Sequence, residues 1–344
     1  MMEKFLILKG CAGLGNRLTT LLKAIEYAKA TDRTLFVDWD DGMFGEEGQN
    51  AFFNYFELKG VRYTEDKDKV LQVFKKGVPC YPRDLEYDDI AETAYNRFHV
   101  VTPLVSKIVP YKYLATWLFR DKMTYFAGLQ SIQKNGNNVN DYFRALKCIG
   151  KGDNMPLGGS LSIMHGEIIV FFYDARPIVN MKRLSNYVVL RKSVSDIVDL
   201  LAEKYQVKNS IGVHVRYTDK KPMFFLSRLY KRLEKVISVN PSQRIFLCTD
   251  NNDIVTEFME RYGENVFQTE KYLPKVPDGY GIHNWARVNS SAETKEQMAI
   301  DSISDMWLLS RCKTLFWQGN SSFSYISKYL KNDPETTINW MRLW

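Results

Sequence analysis

The sequence predicts an α/β protein built on two parallel sheets, and three observations carry that prediction. Short apolar runs with the two-residue period of strands alternate with longer stretches of helical period, once near the amino terminus and again from about residue 190. A glycine-rich turn, Gly13-Leu14-Gly15, stands between the first apolar run and the first helical stretch. Ile211, Val213 and Val215 alternate with Gly212, His214 and Arg216, and this strand runs into the polar cluster Arg216-Tyr217-Thr218-Asp219-Lys220. In open α/β sheets, ligands bind outside the carboxyl ends of the strands, where this cluster falls.

Taken in order, Phe5–Leu8 is the first strand and the glycine turn follows it. Leu14, Leu18, Leu21, Leu22, Ile25 and Ala28 then fall at helical spacing, and Leu35–Val37 returns as a strand. Strand, glycine loop, helix and strand make a right-handed βαβ unit with the loop at the carboxyl edge of the sheet. The spacing G-x-G-x-x lacks the third glycine of a dinucleotide fingerprint, so the turn is read either as tight packing or as a place for an anion or a sugar hydroxyl.

Residues 80–160 are rich in aromatics, among them Tyr81, Tyr87, Tyr111, Tyr113, Trp117 and Tyr125, with Lys107, Lys112, Arg120 and Lys122 interleaved. They are read as packed helices, with an acceptor groove of sugar-stacking rings or a basic surface lying on an anionic membrane as alternatives. From residue 190 the alternation resumes. It gives a helix through Val194, Val198 and Tyr205, the His214 strand, a helix through Leu226, Leu229 and Ile237, and a strand at Arg244–Cys248. A helix over Ile254–Tyr262 follows, then a long loop and a helix over about Lys295–Ser310. A strand at Thr314–Trp317 and a helix over Phe323–Leu330 close the series. The expected division is an N-terminal Rossmann-like domain over 1–188, a C-terminal domain over 189–332, and a tail over 333–344 that packs back on the first domain.

A chain of 344 residues that is 45% hydrophobic can bury one large core or two medium ones. Its five cysteines are widely spaced with no C-x-x-C pair, which argues for reduced thiols rather than a disulfide frame or a zinc site. The net charge is +7, yet the basic residues are mixed with 40 acidic ones and no nucleic-acid motif occurs, so nucleic acid is not an expected partner. No segment approaches the roughly 18–20 apolar residues of a membrane span. The expected location is the cytoplasm, with peripheral attachment to the inner face of the cell membrane as the alternative that the basic aromatic segment leaves open.

His214-Val215-Arg216-Tyr217-Thr218-Asp219-Lys220 resembles the H-V-R-R-T-D-K motif of the α1,6-fucosyltransferases, which are related to the protein O-fucosyltransferases. Gly13-Leu14-Gly15-Asn16-Arg17-Leu18 is similar to that family's opening glycine-rich turn. Gly281-Ile282-His283-Asn284 and Asp305-Met306-Trp307-Leu308-Leu309-Ser310 resemble its guanine-facing segment, and Ser321-Ser322-Phe323-Ser324 its serine-rich turn near the diphosphate. The resemblance implies a GT-B glycosyltransferase, two Rossmann-like domains facing across a cleft, that moves L-fucose with inversion from GDP-fucose to a glycan or lipid-linked oligosaccharide in polysaccharide biosynthesis. Arg216, Asp219 and Lys220 are then the catalytic group. Gly13, Gly15, Asn16, Arg17, His214, Asp250, His283, Asp305, Ser321, Ser322 and Phe323 line the donor.

Two departures stand out. Tyr217 replaces a second arginine, and Lys221-Pro222-Met223-Phe224 offers no carboxylate where the core fucosyltransferases carry an acceptor base. The leaving diphosphate is therefore expected to take up the acceptor's proton itself. Asp38-Trp39-Asp40 is literally a D-x-D and Asp250–Asp253 a second acidic turn, but neither has the further ligands a cation needs, and no metal or other cofactor is expected. The competing readings are a metal-dependent transferase with another nucleotide-sugar donor and a catalytically silent glycan- or nucleotide-binding protein.

Overall fold

The computed structural model describes residues 3–10, 13–74, 80–81, 169–171, 184–219, 221–277 and 281–342. Lys220, the aromatic segment after Tyr81, and residues 134–140 and 150–159, whose Asn- and Gly-rich sequence reads as loops, lie outside the described residues. Strands are β1 (Phe5–Lys9), β2 (Thr34–Asp38), β3 (Phe56–Leu58), β4 (Cys80–Tyr81), β5 (Ile169–Phe171), β6 (Val188–Leu190), β7 (Ile211–Val215), β8 (Ile245–Thr249), β9 (Val266–Phe267), β10 (Thr314–Trp317) and β11 (Thr337–Asn339). The chain divides into two compact units, and the division is not contiguous in sequence. One holds Met1–Ala12, Thr20–Asp41 and Gly60–Val179; the other holds Gly13–Thr19, Gly42–Lys59 and Asn180–Trp344.

The first unit contains a parallel sheet in the order β2-β1-β5-β4, with Phe5–Lys9 opposite Thr34–Asp38. The helix Leu14–Ala30 links β1 to β2 as the glycine turn predicts, and Leu21, Leu22, Ile25 and Ala28 are all buried. At the carboxyl end of β2, fully buried Asp38 and partly buried Asp40 flank the Lys67 ammonium at 3.8 and 2.9 Å. The D-x-D triplet thus holds a lysine, the first residue of the helix Lys67–Phe74.

The second unit is built on a five-stranded parallel sheet, β11-β10-β7-β8-β9, with β7 at its centre. Every residue of β7 and β8 is buried, as a parallel strand covered on both faces must be. Val213, Val215, Leu229, Leu233, Ile245 and Phe258 pack in one core cluster, each large apolar side chain contributing about 1.5–3 kcal/mol when buried. A second cluster joins Val198, Phe246 and Leu315 to Leu308 and Leu309 of the long helix Ala292–Arg311. That helix begins with Ser291, whose side chain accepts from the Thr294 N–H as an N-cap should. Cys248 and Cys312 are buried free thiols.

Two features differ from expectation. The final stretch, expected against the first domain, joins the sheet of the second unit: Thr337–Asn339 adds β11 to the edge of β10, and Trp340 is fully buried in that unit's core. Its indole N–H donates to the His214 carbonyl at 3.1 Å, so an edge strand and a large apolar anchor hold it there. Within the expected long loop lies a helix, Ile282–Asn289, that begins at Gly281. No helix among the described residues is long and apolar enough to cross a membrane.

Candidate functional site

The carboxyl ends of β7, β8 and β10 gather the polar residues that the sequence singles out. Arg216 leaves β7 and forks onto Asp219, Nε to Oδ1 at 2.5 Å and Nη2 to Oδ2 at 2.6 Å, with side chains 16% and 22% exposed. Burial pulls the guanidinium pKa down, but the Asp219 hydrogen bonds and charge outweigh it and raise the pKa. Arg216 is therefore a fixed cation. The backbone beneath it is clamped by Gln318, just past β10: the Arg216 N–H donates to Oε1 at 2.7 Å, and Nε2 donates back to the Arg216 carbonyl at 3.3 Å.

Asp250, at the end of β8, holds the next two residues. It accepts from the Tyr217 N–H at 2.6 Å and from the Thr218 N–H and hydroxyl at 3.3 and 2.6 Å. Asp250, expected among the donor contacts, uses its oxygens to shape this turn.

The glycine-rich turn, the Gly281 segment and the serine turn come together within the same unit. A Cβ on Gly281 would lie 2.7 Å from His283 Cε1 and 3.3 Å from Arg216 Nη2, and one on Gly13 would lie 3.3 Å from His283 Cε1. The His283 ring therefore lies against both glycine backbones, beside the guanidinium. A Cβ on Gly15 would lie 2.5 Å from the Ser322 carbonyl carbon, so the first turns of the helices Leu14–Ala30 and Ser322–Lys331 meet backbone to backbone. Phe323 in that turn stacks on the His214 ring at 5.1 Å and 20°. Ser321, the residue before the helix, is buried, and its hydroxyl has no hydrogen-bond partner. An unmet hydroxyl at a helix start, where backbone N–H groups also lack intrahelical partners, suits an anionic oxygen.

Two predicted donor residues have other neighbours. Arg17 is buried, its Nη2 3.4 Å from Met43 Sδ and its guanidinium 4.8 Å from the Phe44 ring centre. It packs on Met43 and Phe44; Asn16, next to it, donates its N–H to the Gly13 carbonyl at 3.0 Å. Asp305 lies on the buried face of the Ala292–Arg311 helix, accepts from the Thr269 hydroxyl at 2.8 Å and the Cys248 thiol at 3.4 Å, and pairs with Lys271. Burial pushes the Lys271 ammonium pKa down, but Asp305 prevails and raises it to about 12. Burial beside Asp305 pushes the Cys248 thiol well above its ordinary value. Gln318, Thr269 and Lys271 are not legible as site residues in the sequence, although each follows the carboxyl end of a strand.

The fold is α/β with parallel sheets, and it is shared with solved fucosyltransferases. The solved structures it resembles include NodZ α1,6-fucosyltransferase soaked with GDP-fucose, 21% identical with a TM-score of 0.60 over 95% of this chain and 92% of that one. Fucosyltransferase NodZ from Bradyrhizobium is 20% identical with a TM-score of 0.57 over 95% and 93%. POFUT1 in complex with GDP-fucose is 12% identical with a TM-score of 0.52 over 97% of each chain. No family model matches the chain, and no curated protein matches it by sequence.

Proposed function

We propose that this protein is a fucosyltransferase that moves L-fucose with inversion from GDP-fucose to a glycan or lipid-linked oligosaccharide, in a GT-B arrangement and without a metal ion. The observation that carries this reading is the Arg216 guanidinium, fixed on Asp219 beside Gly281 and His283 at the carboxyl edge of a parallel sheet. A preorganised cation there stabilises charge that grows on the leaving β-phosphate, which is where transfer needs it most. The partnerless Ser321 hydroxyl at the start of the Ser322–Lys331 helix supplies a second place for diphosphate oxygens. The fold it shares with proteins crystallised with GDP-fucose supports the donor.

In the reaction the acceptor oxygen bonds to the sugar's anomeric carbon as the bond from that carbon to the β-phosphate oxygen breaks. The acceptor's proton passes to the departing diphosphate. Asp219 and Asp250 are both engaged, one by Arg216 and the other by the 217–218 turn, which supports a base-free route. Calorimetry without added metal tests the donor: GDP should bind in the micromolar range and UDP far more weakly. Equal binding of the two, or binding only with manganese, would sink the reading. A chain that binds GDP-fucose without ever turning it over, against a panel of glycan acceptors, is a silent binder instead.

A further inference from the structure

The fork onto Asp219 fixes the Arg216 guanidinium only relative to its own turn, because the two residues stand three apart in one segment. On the β10 side, a side chain ties that turn to the sheet. Phe316 lies opposite Val213 and β10 ends at Trp317, so the strand stops short of Arg216. The Gln318 amide takes over there. Its Oε1 accepts from the Arg216 N–H at 2.7 Å and its Nε2 donates to the Arg216 carbonyl at 3.3 Å, so one side chain meets both backbone groups where the ladder has ended.

Gln318 is tied to the serine turn as well. It is fully buried, its carbonyl accepts from the Ser321 N–H at 3.0 Å, and its Nε2 donates to Asn320 Oδ1 at 2.8 Å. The Ser324 hydroxyl, on the helix Ser322–Lys331, accepts from the Gln318 N–H at 3.2 Å and donates to the Gln318 carbonyl at 3.1 Å. One residue thus holds the Arg216 backbone with its side chain and the start of that helix with its main chain. We propose that Gln318 is a positioning residue for fucose transfer, setting the Arg216 guanidinium at the distance from the serine turn that the leaving diphosphate requires. Without it Arg216 stays charged and paired with Asp219 but sits in the wrong place, and a misplacement of about 1 Å can cost on the order of 100-fold in rate.

The inference rests on the GDP-fucose reading, and steady-state release of GDP from GDP-fucose by the full chain, with calorimetry of GDP, separates the two. Wild-type chain that binds no GDP, or releases none with water or any glycan of a panel as acceptor, overturns the transfer reading itself. If the wild type turns over, Gln318→Met, which keeps the volume but neither hydrogen bond, should lower kcat about 10- to 100-fold and leave GDP affinity within about threefold. Added to Arg216→Lys, the same change should cost at most about threefold more, since a residue that acts through Arg216 then has little left to act on. Gln318→Glu sets a carboxylate oxygen against the Arg216 carbonyl, and its kcat relative to wild type should recover as pH falls toward about 5, where protonation returns a donor. Unchanged kcat in Gln318→Met, losses that multiply in the double variant, an equal loss of kcat and GDP affinity, or a Glu variant no faster than the Met variant at any pH overturns the assignment. Should the Met variant fail to fold, Ser324→Ala loosens Gln318 from the helix side; kcat should fall about three- to tenfold, again without multiplying into the Arg216→Lys loss, and an unchanged kcat overturns the assignment equally.

Discussion

Two ion pairs at the carboxyl edge of the same sheet have opposite characters. Arg216–Asp219 joins residues three apart in one turn, and its side chains stay 16% and 22% exposed. Lys271–Asp305 joins a loop to a helix, and its side chains are only 7% and 5% exposed. A pair at the edge of a crevice can trade partners with an incoming anion, because water has already met part of its desolvation cost. A buried pair cannot do so cheaply, since breaking it strands a charge in the interior. On the donor reading proposed above, the first pair is the one suited to a ligand, while the second serves the fold. Any role for Asp305 in reading a guanine edge must coexist with Lys271, Thr269 and Cys248, which already engage both oxygens.

The largest expected effect breaks the buried pair. Lys271→Met should cost about 3–5 kcal/mol in denaturant unfolding, and the double variant Lys271→Met with Asp305→Leu should recover most of it. Because the folded-state pKa of Lys271 is raised to about 12, the contribution of the pair is full below the ordinary lysine range and is lost only as pH rises through about 12. A single variant as stable as wild type would move this pair into the class of exposed ones.

Next comes the edge pair. Arg216→Lys keeps the charge but loses the fork, so turnover should fall by roughly two orders of magnitude or more with little change in unfolding midpoint. Near-normal turnover would remove Arg216 from the chemistry. Gly15→Ala tests whether the two helix starts must touch: the added Cβ would lie 2.5 Å from Ser322 backbone, and forcing it in should cost about 1–3 kcal/mol. A neutral result by thermal melting would mean that the contact yields easily.

The smallest effect belongs to the other unit. Asp40→Asn should cost about 0.5–1 kcal/mol through the partly exposed Lys67 contact and leave GDP binding as it was. A loss of activity that manganese restores would revive the metal-dependent alternative.

Most of the described architecture was legible in the sequence because it rests on short-range pattern. The alternation of Ile211, Val213 and Val215, the stripe of Ile303, Met306 and Leu309, and the glycine turn announced strand, helix and loop, since period 2 and period 3.6 follow from backbone geometry alone. The helix Ile282–Asn289 was missed inside a stretch marked by Pro274, Pro277 and Gly281, where turn residues mask a short helical run. The pairing of β11 with β10 was not legible either, because an isolated three-residue strand carries no sign of which sheet edge will receive it.

By itself the sequence determined which residue types reach the carboxyl edge of the central strand: Arg216 and Asp219 on one turn, with Asp250 after the next strand. Tertiary structure alone decided who holds whom. Gln318 clamps the Arg216 backbone from 102 residues away, His283 lies against Gly13 and Gly281, and Lys271 claims Asp305. Such pairings depend on how helices and strands close over long loops and on which charges lose their water together. Neither is written in the local period of a chain.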